Sequence, residues 1–311
     1  MEKQRYRLRN WSEYNKALVK RGSLTVWFDE DSLTKWHVAQ ASGKKGRPFF
    51  YSQVAIECAL TLRTLFRLPL RATQGLVASL IELLDLAIIC PDYTTLCRRQ
   101  STLQLKVSSS SLNKENQHIL IDSSGIKIYG EGEWKVKMHG KTKRRTWRKL
   151  HIAIDANTQE IIIAKITLAN VHDSQVLPDL ISPIDSCLKI SADGAYDTHA
   201  CYEAALKKQA KPNFPPRMNA SLNKPTDEAW RLRNHVIMQV RYKGLKSWKK
   251  ETKYHRRSLA ETAFSRLKKL FGHHANNKKF THQSTELLLR CKLLNRMSQL
   301  GMPESVKIPG I

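Results

Sequence analysis

Acidic residues are scarce in this chain of 311 residues. It has 27 Asp and Glu residues against 53 Lys and Arg residues, which leaves a net charge of +26. A basic excess of this size indicates a polyanionic partner; nucleic acid, a ribosome or an anionic membrane surface would each explain it. The basic residues are spread through segments with globular patterning and do not form a tail. We therefore expect a nucleic-acid-binding protein that is long enough for two domains.

Several motifs of hydrolytic enzymes are missing. The six cysteines include no Cys-x-x-Cys pair and the eleven histidines include no His-x-x-x-His pair, so no zinc site is predicted. Scattered cysteines are typical of reduced thiols in the cytosol. Ser123 and Ser124 lack the surrounding Gly-x-Ser-x-Gly turn that presents a serine nucleophile. These absences direct attention to carboxylate chemistry.

Long apolar runs are absent as well. The most apolar window, Leu76 to Cys90, contains Glu82 and Asp85, and it is too short and too charged to span a bilayer. The first residues lack the apolar core of a signal peptide. The expectation is a cytoplasmic protein with no membrane partner.

Residues 1–106 are predicted to form a helical DNA-binding domain. Apolar periodicity predicts helices at 52–66 and 71–86, and Asp92 is a candidate N-cap for a short third helix. This order is typical of a helix-turn-helix, whose outward residues would contact DNA, although an ordinary three-helix bundle has the same pattern. The candidates for DNA contact are Thr94, Thr95, Arg98 and Arg99.

A polar, serine-rich stretch at 107–117 is interpreted as a linker, and strands alternate with helices after it. Short apolar runs predict strands near 118–128, 148–155, 160–168, 188–192 and 211–214. The predicted fold class is therefore α/β, a mixed sheet flanked by helices, over residues 118–302. Within it, residues 135–149 form a basic excursion that includes Arg144 and Arg145, and 209–250 is a basic, insertion-like segment with one long helix at 226–250. Residues 303–311 are a tail.

The stretch from Tyr254 to Phe271 is the most informative in the sequence. Wound as a helix at about 100° per residue, it places Tyr254, Arg257, Glu261 and Lys268 within about 60° of one another. An apolar stripe lies beside them, formed by Ala260, Ala263, Phe264, Leu267 and Phe271. One carboxylate is thus set among phosphate-binding cations at the rim of a core. The alternative is a solvated helix face with ordinary i,i+4 charge pairs.

Two aspartates elsewhere complete a possible metal site. Asp122 follows the apolar residues Ile119–Ile121, and Asp193 follows a similar run at 188–192. With Glu261 they supply three carboxylates that are far apart in sequence, which is what a site for two divalent cations on oxygen ligands requires. Other acids have simpler explanations: Asp155 precedes a turn, and Asp173 is a candidate helix cap.

This set of motifs resembles the DDE transposases of bacterial insertion sequences, in particular the insertion-sequence-five group. Tyr254, Arg257, Glu261 and Lys268 match the Tyr-(two)-Arg-(three)-Glu-(six)-Lys pattern of that family at every spacing. Blocks of the family around its two aspartates are matched by Ile121-Asp-Ser-Ser-Gly125 and Asp193-Gly-Ala-Tyr196. The resemblance extends from about Trp11 to Met302.

The resemblance implies a ribonuclease-H-like catalytic fold preceded by a helical DNA-binding region. It further implies a transposase that binds the terminal inverted repeats of an element, cleaves at the element ends and joins the 3′ hydroxyl to target DNA. Asp122, Asp193 and Glu261 would be the catalytic metal ligands for two Mg²⁺ ions, with Mn²⁺ as a substitute. Double-stranded DNA would be the partner of a homodimer, with contacts from Lys268, Arg257, Tyr254, Arg98, Arg99, Arg144 and Arg145. The alternatives are a metal-dependent nuclease on the same fold and a DNA-binding protein without catalysis.

Overall fold

The computed structural model describes residues 6–39, 48–107, 116–128 and 146–308. The chain divides into two compact units, one formed by Met1–Leu105 with Leu293–Ile311 and the other by Lys106–Lys292. The expected catalytic domain extended to residue 302, whereas the structure groups everything from Leu293 onward with the helical unit. The cause lies in that unit itself, where the strand Ser305–Lys307 pairs with Tyr6–Leu8 and the Asn10 side chain donates to the Met302 carbonyl.

The helices and strands are numbered here in chain order. The helices are α1 (Trp11–Lys20), α2 (Glu30–Thr34), α3 (Gln53–Phe66), α4 (Leu70–Leu83), α5 (Tyr93–Gln100), α6 (Asp173–Leu180), α7 (His199–Lys207), α8 (Glu228–Lys243), α9 (Leu245–Glu251), α10 (Ser258–Phe271) and α11 (Phe280–Leu300). The strands are β1 (Tyr6–Leu8), β2 (His118–Ile128), β3 (Trp147–Asp155), β4 (Ile161–Leu168), β5 (Lys189–Ser191), β6 (Lys211–Asn213), β7 (His274–Ala275) and β8 (Ser305–Lys307). Within the described ranges, no helix is sufficiently long and apolar to cross a bilayer.

Three packed helices, α3, α4 and α5, form the centre of the helical unit, as the apolar periodicity predicts. Ile56, Val77 and Leu96, one from each helix, are fully buried. Asp92 caps α5, since its carboxylate accepts hydrogen bonds from the backbone N–H groups of Thr94 and Thr95 at 2.8 and 3.0 Å. The predicted N-cap is confirmed.

A mixed sheet forms the centre of the second unit. Its strand order is β4-β3-β2-β5-β6, with β7 pairing the far end of β2. Strands β2, β3 and β4 are antiparallel, whereas β5 and β6 run parallel to β2. Helices flank this sheet, so the predicted α/β class of ribonuclease-H-like form is confirmed, and β2 has the bounds predicted for it.

The two faces of β2 meet different helices because side chains alternate along a strand. Ile119 and Ile121 join a buried cluster that also includes residues of α6 and α7. On the opposite face, Asp122 and Ser124 meet side chains from the segment around α10. One face of β2 therefore builds the core while the other carries polar chemistry.

Two long helices predicted from the basic C-terminal half are interrupted. The helix expected at 226–250 is split into α8 and α9 by Gly244, whose φ of 80° suits glycine, which has no Cβ to clash. The helix expected from Tyr254 begins as a 3₁₀ turn over Tyr254–Arg257 and becomes α-helical only at Ser258. Lys253, with φ of 51°, starts that turn. The five predicted apolar-stripe residues of α10 are nevertheless all buried.

The Asp92 cap generates a stability prediction. The Thr94 and Thr95 hydroxyls and backbone amides hold the pKa of the Asp92 carboxyl well below its usual range. Its stabilising effect is therefore complete above pH 4 and declines as the pH falls further. Asp92→Ala should lower the free energy of unfolding by about 1–2 kcal/mol at pH 7, whereas Asp92→Asn, which can still accept, should lose much less. Urea unfolding followed by circular dichroism tests this, and equal losses in the two variants would contradict it.

Candidate active site

Asp122 and Asp193 are brought together by the pairing of two parallel strands. Leu120 on β2 is level with Ser191 on β5, and Asp122 and Asp193 each lie two residues further along the chain. Neighbouring strands lie about 4.8 Å apart. Both aspartates therefore lie just beyond the paired part of these two strands.

The Asp193 carboxylate is oriented by its own turn. It caps the 3₁₀ turn Gly194–Tyr196 and accepts a hydrogen bond from the Ala195 N–H at 2.8 Å. Asp193 is half-buried, and Tyr196 behind it is almost fully buried. One carboxylate oxygen is engaged by the backbone, which holds the side chain in one orientation.

Arg257 connects Asp122 to Glu261 on the first turn of α10. One guanidinium nitrogen lies 3.5 Å from the Asp122 carboxylate, and another donates to the Glu261 carboxylate. The side chains of Arg257 and Asp122 are 17% and 14% exposed, whereas that of Glu261 is 56% exposed. A cation therefore already lies between two of the three predicted carboxylates, with Glu261 at the solvent side.

Lys268 reaches the same face of β2. Its ammonium nitrogen lies 2.6 Å from the Ser124 hydroxyl, two residues beyond Asp122 on the strand. Partial burial lowers the pKa of Lys268. The predicted helix face thus contacts β2 at two places, through Arg257 at Asp122 and through Lys268 at Ser124. Ser124 was not among the predicted site residues, although its position two residues after Asp122 placed it on the same face.

Burial dominates the electrostatics of Asp122. It raises the pKa of the Asp122 carboxyl to about 6 against the opposing effect of Arg257, and Asp193 and Glu261 add smaller upward contributions. The three carboxylates therefore sense one another even though Arg257 lies between two of them. Such a group is an anion in a poorly solvated place that favours a bound cation.

Comparison with known proteins identifies the family. Residues 113–296, more than half of the chain, match the family described as "Transposase DDE domain", and residues 19–131 match a second family of the same description. This chain belongs to the transposase DDE family. Among solved structures, it is similar to piggyBac transposase in a synaptic complex with hairpin DNA, at 11% identity over 91% of this chain and 75% of that chain, with a TM-score of 0.39. The insertion-sequence-five group within the family stays a prediction.

A DDE transposase acts on DNA and depends on divalent metal, and the residues of this transposase fit such an ion. Carboxylate oxygens are the ligands that hard cations prefer, and the Arg257 guanidinium lies where positive charge is needed between Asp122 and Glu261. Within the part of the chain that the structure describes, no three acidic, histidine or cysteine side chains are close enough to ligate one ion as they stand. In this arrangement the Glu261 carboxylate is paired with Arg257.

Tyr254 supports Arg257 from behind. Its ring is 8% exposed, packs against Trp248 with centroids 5.8 Å apart, and lies 5.7 Å from the Arg257 guanidinium carbon. Burial raises the pKa of the phenol. Most of the ring is thus used in packing, and contact of Tyr254 with DNA stays a prediction.

Two other acids have structural roles in the transposase. Asp155 accepts from the backbone N–H groups of Asn157 and Thr158, which forms the predicted turn. Asp173 is the first residue of α6 and not its N-cap, which is His172. Its carboxylate pairs with Lys149 at 3.1 Å.

The predicted DNA contacts of the helical unit differ in how they are placed. Thr94 and Thr95 donate their hydroxyls to Asp92 and are therefore engaged in the cap. Arg99 is buried, stacks on Phe49 and donates to the Tyr51 carbonyl. Arg98 is exposed, so it is the candidate we retain for DNA. Arg144 and Arg145 lie outside the described residues.

The raised pKa of Asp122 predicts a pH-dependent stability of the metal-free transposase. The folded chain holds the Asp122 proton up to about pH 6, whereas an ordinary aspartate releases it near 3.8. The free energy of unfolding therefore falls as the pH rises through this window. Asp122→Asn does not titrate, so its stability relative to wild type should increase by up to about 3 kcal/mol between pH 4 and pH 7. Urea unfolding in EDTA measures this difference, and a difference independent of pH would count against it.

Proposed function

We propose that this transposase binds the terminal inverted repeats of an insertion sequence, cleaves at its ends and joins the 3′ hydroxyl to target DNA at a site built from Asp122, Asp193 and Glu261. The observation that carries the proposal is the β2–β5 register, which pairs Leu120 with Ser191, each two residues before one of the two aspartates. The first turn of α10 adds Glu261 through Arg257. These observations support a site to which distant parts of the chain contribute three carboxylates.

We propose that these carboxylates hold two Mg²⁺ ions, for which Mn²⁺ can substitute. Two such ions about 3.5–4 Å apart stabilise the attacking and the leaving oxygen of a phosphodiester and supply a nucleophile at neutral pH. Asp122 and Asp193 provide the rigid ligands because their backbones are held by the sheet and by the Gly194–Tyr196 turn. Glu261 is the adaptable ligand, since its side chain is largely exposed.

Arg257 and Lys268 act on the phosphates in this proposal. Arg257 offsets the repulsion between Asp122 and Glu261 before the site is loaded, and its guanidinium can then bind a phosphate with two parallel hydrogen bonds. Lys268 is kept beside Ser124, near enough to the carboxylates to contact the phosphate next to the scissile bond. Tyr254 keeps Arg257 at this place through its ring.

The rest of the DNA is bound through exposed basic surface in each unit. In the helical unit Arg98 projects from α5. In the second unit (Lys106–Lys292), exposed cations lie within the predicted insertion-like segment 209–250, among them Arg231, Arg241, Lys243, Lys246 and Lys250. Such contacts neutralise phosphates without reading sequence, so binding should weaken steeply with salt. Transposition joins two element ends, and we propose a homodimer on DNA for this reason.

The test uses labelled DNA that carries the sequences flanking this gene, with Mg²⁺ or Mn²⁺. Nicks at a repeat end and a strand-transfer product are expected from the wild-type chain. Asp122→Asn, Asp193→Asn and Glu261→Gln should each lower the cleavage rate by several orders of magnitude, because each removes a ligand that stabilises the transition state. Asp155→Asn is the matched control, since Asp155 is a buried acid of the same sheet that forms a turn.

Each outcome of this test has a definite reading. Cleavage that survives one of the three substitutions removes that residue from the metal site. Cleavage without end joining favours a metal-dependent nuclease on the same fold. Salt-sensitive DNA binding with no metal-dependent product favours a DNA-binding protein without catalysis.

Lys268 and its neighbour Lys269 offer a further matched comparison on α10. Lys268 is half-buried beside Ser124, whereas Lys269 is exposed. Lys268→Ala should reduce the cleavage rate by about 10–100-fold through loss of a phosphate contact at the reacting centre, and Lys269→Ala by less than about threefold. Single-turnover cleavage at saturating DNA measures both. Equal effects of the two variants would place Lys268 on the general basic surface.

A further inference from the structure

A buried ion pair links the turn that carries Asp193 to helix α8. The Arg233 guanidinium donates to both carboxylate oxygens of Asp197, at 2.8 and 3.0 Å. Asp197 is 3% exposed and Arg233 is 8% exposed. Asp197 directly follows the turn Gly194–Tyr196, so the pair fixes the far end of the turn that Asp193 caps.

The same arginine also organises the loop that precedes α8. Its remaining nitrogen donates to the Ser221 carbonyl at 3.1 Å and to the Asn223 side chain at 2.8 Å. All three guanidinium nitrogens of Arg233 therefore have acceptors. A single side chain thus connects α8, the loop at 214–227 and the Asp193 turn.

Arg217, from that loop, holds the turn on its other side. Its backbone N–H donates to Asp197 at 3.1 Å, while its guanidinium donates to the carbonyls of Gly194 at 3.2 Å and Ala195 at 2.9 Å. Ala195 in turn donates its N–H to the Asp193 carboxylate. A continuous hydrogen-bonded path therefore runs from Arg217 through the peptide groups of the turn to Asp193.

Stability alone is a poor explanation for this arrangement. A buried ion pair contributes little net stability, because desolvation of both charges offsets their attraction. Well-packed apolar residues would fill the same space at similar or lower cost. The pair does, however, favour this conformation of the turn, since Asp197 also accepts from the Arg217 N–H and Arg233 also donates to Ser221 and Asn223.

We propose that Arg233 and Asp197, together with Arg217, are positioning residues that hold the Asp193 carboxylate in its metal-binding orientation and couple it to α8. The inference depends on the proposed role of Asp193 as a metal ligand. Helix α8 exposes Arg231, Arg241 and Lys243 to solvent and buries Arg233 against the turn. DNA bound along the exposed side of α8 would therefore contact the helix whose buried side sets the orientation of Asp193.

The start of α8 is secured to the catalytic unit independently. Asp227 caps the helix by accepting from the Trp230 N–H at 2.9 Å, and it pairs with His199 of α7 at 2.7 Å. Removal of the Arg233–Asp197 pair therefore leaves α8 attached at its first turn. This separates a positioning effect from loss of the helix.

The experiment measures binding of Mn²⁺ to the full chain without DNA, by electron paramagnetic resonance. Arg233→Met and Asp197→Asn should weaken Mn²⁺ binding by roughly 10–100-fold, the range typical of residues that orient metal ligands. Arg233→Lys keeps the charge but loses the guanidinium fork that bridges both Asp197 oxygens, so its Mn²⁺ affinity should lie between those of these variants and wild type. DNA affinity at fixed salt should change by less than about threefold, because no phosphate contact is removed.

Two controls separate positioning from general loss of stability. Ile184→Ala creates a cavity in the core of the same unit without removing any hydrogen bond of Arg233 or Arg217, and it serves as the control for loss of stability. Arg217→Ala removes only an exposed side chain, so it keeps the test decisive if the buried variants fail to fold. It should weaken Mn²⁺ binding by about tenfold, whereas Lys224→Ala, an exposed cation of the same loop, should not.

Three results are informative. Weakened Mn²⁺ binding in the Arg233, Asp197 and Arg217 variants, with the controls near wild type, establishes the positioning role. Equal weakening in Ile184→Ala, or wild-type binding in Arg217→Ala and in the buried variants, overturns it. Asp193→Asn distinguishes the two proposals: if it binds Mn²⁺ like wild type, Asp193 is not a ligand and the proposed site itself fails.

Discussion

The pairing of β2 with β5 is the constraint on which the rest of the site depends. Main-chain hydrogen bonds set this register, and the buried side chains Ile119 and Ile190, level with each other on the core face, stabilise it. A slip of one residue would turn Asp122 from the polar face of β2 into the apolar cluster. The distance between two carboxylates is therefore determined by the packing of apolar residues on the opposite side of the sheet.

Charge balance is the second constraint. The chain as a whole is strongly basic, yet Asp122, in a partly buried setting, interacts electrostatically with the like charges of Asp193 and Glu261. Arg257 relieves the repulsion between Asp122 and Glu261, and Tyr254 with Trp248 fixes Arg257 from behind. The arrangement keeps the acids together while leaving Glu261 exposed enough to change partners.

The basic segment before α10 has two sides with different roles. Its exposed cations suit a phosphate backbone, whereas Arg233 is withdrawn into the unit and paired with Asp197. Composition alone groups these arginines together. Their separation arises because one side of α8 packs on α7 and on the turn after β5, so an arginine on that side must find buried acceptors or incur a large desolvation cost.

Features that depend only on neighbours along the chain could be predicted from the sequence. Strand β2, the Asp92 cap, the apolar stripe of α10 and the spacing from Tyr254 to Lys268 are periodic or local patterns, and the first three were predicted correctly. The family resemblance also rested on such local spacings, and the family match confirms it.

Which elements contact one another became clear only from the folded chain. Lys268 and Ser124 are separated by 144 residues, and Arg233 and Asp197 by 36. No local pattern predicts that Arg99 is buried against Phe49 while Arg98 is exposed, or that residues after Leu293 join the helical unit. The physical reason is that burial and hydrogen-bond partners are properties of packed surfaces, and the sequence specifies those surfaces only through the complete fold.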